Sequence, residues 1–347
     1  MRILSVALCS AILATTGFAS TELIQKAKDS GLVPLPPTQE EILKLAEEYA
    51  PEAKTYPMTD AGVELGKILY FDPRLSRSGI ISCNTCHNIG YGGSDNIPAS
   101  TGHKWSPNPS HINSPTVLNS VFNSVQFWDG RAAHLAEQAA GPMTANVEMA
   151  STPADIEAVI NSMPEYIKLF ETAFGEGVKV DFNLVTTAIG MFERTLNTPS
   201  RYDDFLNGDV NALSEAEKAG LNLFIDKACT TCHNDINLGG NMQTFALAAQ
   251  YKFSDLGDFV GDENGMVKTP PLRNVKMTRP YFHNGAIWTL EEAIKEMGSI
   301  QLGLEITDEE AESISTFFES LNGRIPEITY PVFPVSTNDT PKPELDY

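Results

Sequence analysis

Positive charge is in short supply: 24 Lys and Arg stand against 45 Asp and Glu in 347 residues, a net charge of −21. Such a chain cannot neutralise a run of phosphates, which excludes a general nucleic-acid binder. The imbalance is compatible with a basic protein partner drawn in by long-range attraction, and equally with an acidic surface that maintains solubility. Apolar runs of membrane length are missing throughout, so the body of the protein has no membrane span. Period-two alternation is scarce, which argues against a β-rich fold. What remains is a chain with 42% hydrophobic and 20% charged residues. That is not the composition of a disordered polymer, and the length suffices for two domains with a core each.

The first residues have the pattern of an export leader. Arg2 is the only charge before Glu22, an apolar run extends from Ile3 to Ala14, and Gly17-Phe18-Ala19 offers a cleavage site. The expected signal peptide is 1–19, and Cys9 is discarded with it. The acidic excess then deepens, because Arg2 is lost and no acid is.

Cysteine is sparse as well, with five residues in all. The four beyond the leader fall into two copies of one motif, Cys83-Asn84-Thr85-Cys86-His87 and Cys229-Thr230-Thr231-Cys232-His233. Exported proteins often pair cysteines as disulfides, and Cys-x-x-Cys with a histidine can also supply zinc ligands. Against both stands the immediate histidine, repeated with no cysteine left over, which is the attachment signature of c-type haem. Two sulfurs on one turn can form thioethers to the haem vinyl groups, and the adjacent histidine becomes the proximal iron ligand. The sequence predicts two covalently bound haem c groups.

These motifs lie inside an expected internal duplication. Leu65–Asp72 precedes the first and Ala219–Asp226 the second. Pro115 to Asn119 matches Pro270 to Asn274 at its ends, and Gly130, Leu135 and Glu137 match Gly285, Leu290 and Glu292 in spacing. Thr38 with Glu41, Ser214 with Glu217, Thr289 with Glu292 and Thr307 with Glu310 read as helix-opening capping boxes. Thr152-Pro153 opens another helix, with Ile156, Val159, Ile160 and Met163 on one face. The expected fold is therefore mainly α: two cytochrome c-like haem domains joined head to tail, with long loops over the haem edges. Thr195–Ser200 reads as the link, giving an N-terminal domain over 20–198 and a C-terminal one over 199–347. The tail from Pro331, with four prolines, reads as an extended strap.

A haem with two strong protein ligands carries electrons, whereas one with an open or opening position does chemistry. Of the six histidines, His103 stands out because it lies beyond the Gly-rich loop from Gly90 to Gly102 and could bind and leave the first iron. Met297 ends the short helix opened by Thr289, in the half with the second haem. A thioether ligand there would raise that haem's potential and suit it to accept electrons.

At this point the residues resemble those of bacterial dihaem cytochrome c peroxidases. The resemblance rests on Asp72-Pro73-Arg74-Leu75-Ser76-Arg77-Ser78, Ser114–Asn119, Phe127-Trp128-Asp129-Gly130-Arg131, Ser162–Tyr166, Pro271–Val275, Tyr281-Phe282-His283 and Met297–Gly303. It implies that His103 is the displaceable distal ligand of a low-potential N-terminal haem and Met297 the distal ligand of a high-potential C-terminal haem. Glu148 is implied as the acid–base carboxylate beside the N-terminal iron, Gln138 as its polar neighbour, and Trp128 as the ring between the haems. Calcium between the domains is implied through the Asn113 side chain and the carbonyls of Thr278 and Pro280. The resemblance further implies hydrogen peroxide as substrate, a small cytochrome c or cupredoxin as electron donor, the periplasm as location and a homodimer. His111 and His134 match nothing functional and read as surface residues. Two stretches depart from the family: His103–Pro115 is slightly longer and His233–Pro270 shorter. The alternatives are a dihaem electron carrier without peroxidase activity and a dihaem oxidase that modifies tryptophans of a partner. In that oxidase a tyrosine replaces the distal methionine, so Met297 favours the peroxidase.

Overall fold

The structure, a computed structural model, describes residues 19–344, so the expected leader lies outside the described residues except for Ala19. Twelve helices occur in the described residues. In the N-terminal half they are α1 (19–29), α2 (Gln39–Tyr49), α3 (Asp60–Phe71), α4 (Cys83–Cys86), α5 (Leu135–Thr144), α6 (Pro153–Asn161), α7 (Pro164–Phe174) and α8 (Phe182–Glu193). Then come α9 (Arg201–Leu206), α10 (Glu215–Asp226), α11 (Leu290–Met297) and α12 (Asp308–Phe318). Strand structure is confined to one antiparallel pair, β1 (Met242–Thr244) and β2 (Met266–Lys268), with Met242 opposite Lys268. The protein is mainly helical, as expected. No helix in the described residues is long and apolar enough to cross a membrane.

The helix boundaries follow local chemistry. Ser214 with Glu217 and Thr307 with Glu310 form full reciprocal capping boxes, as does Thr152 with Asp155 ahead of the proline-initiated α6. Thr289 caps α11 by accepting the Glu292 N–H, but the Glu292 carboxylate turns away to Lys252 at 2.7 Å.

The two largest of four hydrophobic cores in the described residues each form around a tight helix crossing. In the first, α3 crosses α8 and buries Leu65, Tyr70, Val185, Ile189 and Phe192 with Phe170 of α7. A Cβ on Gly66 would sit 1.8 Å from the Ala188 carbonyl oxygen, so only glycine lets the backbones meet. In the second, α10 crosses α12 and buries Tyr202, Phe205, Leu221, Phe224 and Phe317. Gly220 has the matching role, with a Cβ there 2.1 Å from the Ser313 oxygen. Each fully buried aromatic or aliphatic side chain contributes about 1.5–3 kcal/mol.

Between the halves the Thr195–Ser200 stretch is largely buried. Thr198 is buried and clamped from both sides: Asn119 and Asn274 each donate to its hydroxyl at 2.7 Å, and its own N–H donates to Asn119 at 2.9 Å. Both asparagines have left-handed backbone (φ 59° and 60°), a conformation asparagine tolerates better than most residues. A second tie is fully buried: Arg273 makes paired bonds of 2.7 and 2.9 Å to Asp203, whose carboxylate also accepts the Leu35 N–H at 2.7 Å. The proline-rich tail is extended, as expected. Arg74 donates to Pro334 O at 2.8 Å, Ser162 bonds Thr340 at 2.8 Å, and Arg77 pairs with Glu344 at 2.5 Å.

Candidate functional site

Two large clefts open in the described residues, one per half. The N-terminal cleft spans ≈ 1900 Å³ of atom-free space and the C-terminal one ≈ 1510 Å³, solvent at their mouths included. Cys83, Cys86 and His87 line the first; Cys229, Cys232 and His233 line the second. Each motif is therefore presented on a cleft wall, the first by α4 and the second by the turn Cys229–Thr231.

The histidines are prepared as neutral ligands. His87 Nδ1 lies 2.9 Å from Pro115 O and His233 Nδ1 lies 3.0 Å from Leu238 O. Burial lowers the pKa of His87, and it brings His233 down to about 4. With Nδ1–H donated to a carbonyl, the lone pair resides on Nε2, the atom required of an iron ligand. The four cysteines among the described residues are free thiols, not disulfides. Burial raises the thiols, Cys86 to about 12 and Cys229 to about 11, so both stay neutral. No group of three or more His, Cys, Asp or Glu converges as a metal site in the described residues. Paired neutral thiols beside a directed imidazole on an ample cleft fit covalent haem.

The other predicted residues divide between the clefts. Gln138 and Glu148 line the N-terminal cleft together with Pro142, Met143 and Met149. Burial raises the pKa of Glu148, partly offset by the Arg131 guanidinium. Met297 lines the C-terminal cleft with His233, where α11 gives way to a wide π-helical turn, Gly298–Leu302. Trp128 lines both clefts; its Nε1 donates to Asn113 O at 2.9 Å, fixing the ring in the shared wall. Asn113, Thr278 and Pro280 all line the C-terminal cleft. The Asn113 amide nitrogen donates to Ile97 O at 2.8 Å.

His103 is not on the cleft wall. Its neighbour Gly102 is, packed so closely on the Glu148 segment that a Cβ there would lie 2.0 Å from Val147 O. The turn His103–Trp105 carries left-handed backbone at Lys104 and Trp105 (φ 58° and 57°), and His103 Nδ1 is buried without a hydrogen-bond partner. Burial, then Lys104 and Arg77, lower the pKa of this imidazole, which keeps it neutral.

Several residues on these walls escaped the sequence reading. Arg131 lies over the Phe127 ring at 3.5 Å and faces Glu148. Glu193 of α8 reaches the N-terminal cleft, and burial with Glu52 nearby raises its pKa to about 8. An acid next to the apolar stripe Ile189–Phe192 was its signal. Lys268 lines both clefts. His111 and His134 are better engaged than surface residues: His111 Nδ1 meets Asn284 O at 3.1 Å, and His134 accepts the Glu137 N–H at the start of α5.

Comparison with known proteins agrees with this geometry. A family model described as di-haem cytochrome c peroxidase matches residues 60–211. Cytochrome c551 peroxidase of Pseudomonas aeruginosa is 45% identical over 314 residues, covering 87% of this chain and 90% of the relative. Cytochrome c551 peroxidase of Nitrosomonas europaea is 48% identical over 287 residues, covering 80% and 85%. The crystal structure of a MauG-like protein associated with microbial copper homeostasis superposes with a TM-score of 0.67 at 25% identity, covering 78% of this chain and 91% of that one. With two haem-attachment motifs each facing its own cleft, and relatives this similar over nearly their full length, the chain belongs to the di-haem cytochrome c peroxidase family.

Proposed function

We propose that this protein reduces hydrogen peroxide to two waters with two electrons taken singly from a small ferrocytochrome c, or from a cupredoxin. Cys83, Cys86 and His87 would hold one haem and Cys229, Cys232 and His233 the other, and the pair would supply the one-electron redox chemistry the reaction needs.

The observation that carries this reading is the difference between the two distal sides. Matching Gly130 with Gly285 and Leu135 with Leu290 brings Pro142 onto Met297. Where the C-terminal cleft offers a thioether, the N-terminal cleft has a side chain with no ligand atom, beside Gln138 and Glu148. A permanently six-coordinate electron carrier has no use for that arrangement. Glu148 takes the proton from one peroxide oxygen and returns it to the departing one, and burial tunes its carboxyl for both tasks. Gln138 orients the substrate by hydrogen bonding, and Pro142, Met143 and Met149 keep bulk water out. His103, held beside this segment, would hold the N-terminal haem iron in the closed state and release it to admit peroxide. Trp128 couples the clefts through their common wall.

The paired crossings at Gly66 and Gly220, and the paired left-handed asparagines 119 and 274, support two related domains over 20–198 and 199–347. Calcium at Asn113, Thr278 and Pro280 suits oxygen donors on one wall. Family resemblance supports export to the periplasm, removal of a signal peptide and a homodimer. Met297 at the C-terminal cleft favours peroxidase over tryptophan-modifying oxidase.

The test is direct. Denatured protein should retain two haems per chain by pyridine haemochrome assay, and pre-reduced holoenzyme should be reoxidised on mixing with peroxide. Two haems that stay reduced in peroxide would make the protein an electron carrier.

A further inference from the structure

Lys268 closes β2 at the wall shared by the two clefts, lining both of them as Trp128 does. Its backbone N–H donates to Trp128 O at 2.7 Å, which locks it to the bridging tryptophan. The residue is only 2% exposed. Among the described residues its Nζ makes no hydrogen bond or ion pair, and Asp129, the carboxylate that acts on it, is bonded to Arg131 at 2.8 Å. Left like this, burial brings its pKa down to about 8. A buried ammonium persists where an anion meets it. Glu148, Glu193 and Asp258 line the N-terminal cleft as well, but among the described residues none of them bonds this ammonium, whereas every c-type haem brings two propionate carboxylates.

We propose that Lys268 is a positioning residue that binds a haem propionate carboxylate at the wall common to both clefts and holds up the reduction potential of that haem. The proposal rests on the two-haem reading. An ammonium paired at the haem edge fixes the ring relative to Trp128. Its charge also favours the added electron, since ferrous haem carries one positive charge fewer than ferric.

A crystal structure of the holoenzyme should place Lys268 Nζ about 2.7–3.2 Å from a propionate oxygen. An Nζ bonded to water or Asp129 alone would overturn the proposal, and this result does not depend on any variant folding. Redox titration adds a second test. Lys268→Met should lower one midpoint potential by an amount equal to roughly a tenfold loss in that haem's reduction equilibrium, the effect of a unit charge about 10 Å away at an effective dielectric near 20. Lys268→Arg should restore the wild-type value. Unchanged potentials in a Lys268→Met holoenzyme with both haems attached would also overturn it. Failure of the two-haem reading would show separately, as a haemochrome count below two in the wild type.

Discussion

Replacing Glu148 with Gln keeps the volume and hydrogen-bonding shape of the side chain while abolishing proton exchange. General acid–base assistance is worth roughly 10²- to 10⁴-fold, so peroxide turnover should fall by that factor, or about 3–5 kcal/mol of barrier. Both haems should remain attached and reducible, because the substitution leaves both attachment motifs intact. The structure also fixes how pH acts. Burial raises the Glu148 pKa above its ordinary value of 4.5, and the Arg131 cation works against that rise. Ionised Glu148 is the form that accepts the peroxide proton, so kcat/KM should rise with pH through its pKa. Arg131→Met withdraws the opposing cation, so the pKa climbs and the acid limb moves to higher pH. Steady-state pH profiles of wild type, Glu148→Gln and Arg131→Met decide the matter. Near-normal turnover in Glu148→Gln, or an acid limb that stays put or moves down in Arg131→Met, would refute the reasoning.

His103→Gly should leave the N-terminal iron open in the oxidised enzyme, and an oxidised spectrum identical to wild type would show that His103 is no ligand. Met297→His replaces a soft donor with one that favours ferric iron, so the higher midpoint potential should drop in a redox titration and donor oxidation should slow. Asp203→Asn removes the charge facing buried Arg273 and should cost about 3–5 kcal/mol in denaturant unfolding of the holoenzyme. The folded state holds the Glu193 proton more tightly than the unfolded chain does, with a pKa about 8 against 4.5, so this group makes stability fall as pH rises through that interval. Glu193→Gln should flatten the decline in thermal unfolding between those pH values.

How much of this was legible in the sequence depended on whether the signal was local. Haem attachment lies within five consecutive residues, and the structure brings all six motif side chains to two clefts. Helix starts were legible for the same reason, since a cap and its partner are three residues apart. Trp128, Gln138 and Glu148 came from family resemblance, and Met297 from its place at the end of α11 as well; Gln138 and Glu148 line the N-terminal cleft, Met297 the C-terminal one and Trp128 both. The burial of Thr195–Ser200 was not legible, because the partners that satisfy Thr198 in the interior, Asn119 and Asn274, are distant in sequence. Lys268 was invisible because its meaning depends on which two cavities meet at one strand end. Asn113, Thr278 and Pro280 come to line one cleft only through tertiary structure, and carbonyl donors leave no composition trace.

The central claim is that electrons collected at one cleft reduce peroxide at the other. The most direct measurement is a titration in which limiting hydrogen peroxide is added to catalytic holoenzyme with excess ferrocytochrome c. The balance H₂O₂ + 2 H⁺ + 2 e⁻ → 2 H₂O predicts two ferrocytochromes oxidised for each peroxide consumed. Ferrocytochrome c that exchanges electrons with the enzyme but is not oxidised when peroxide is added would contradict the account.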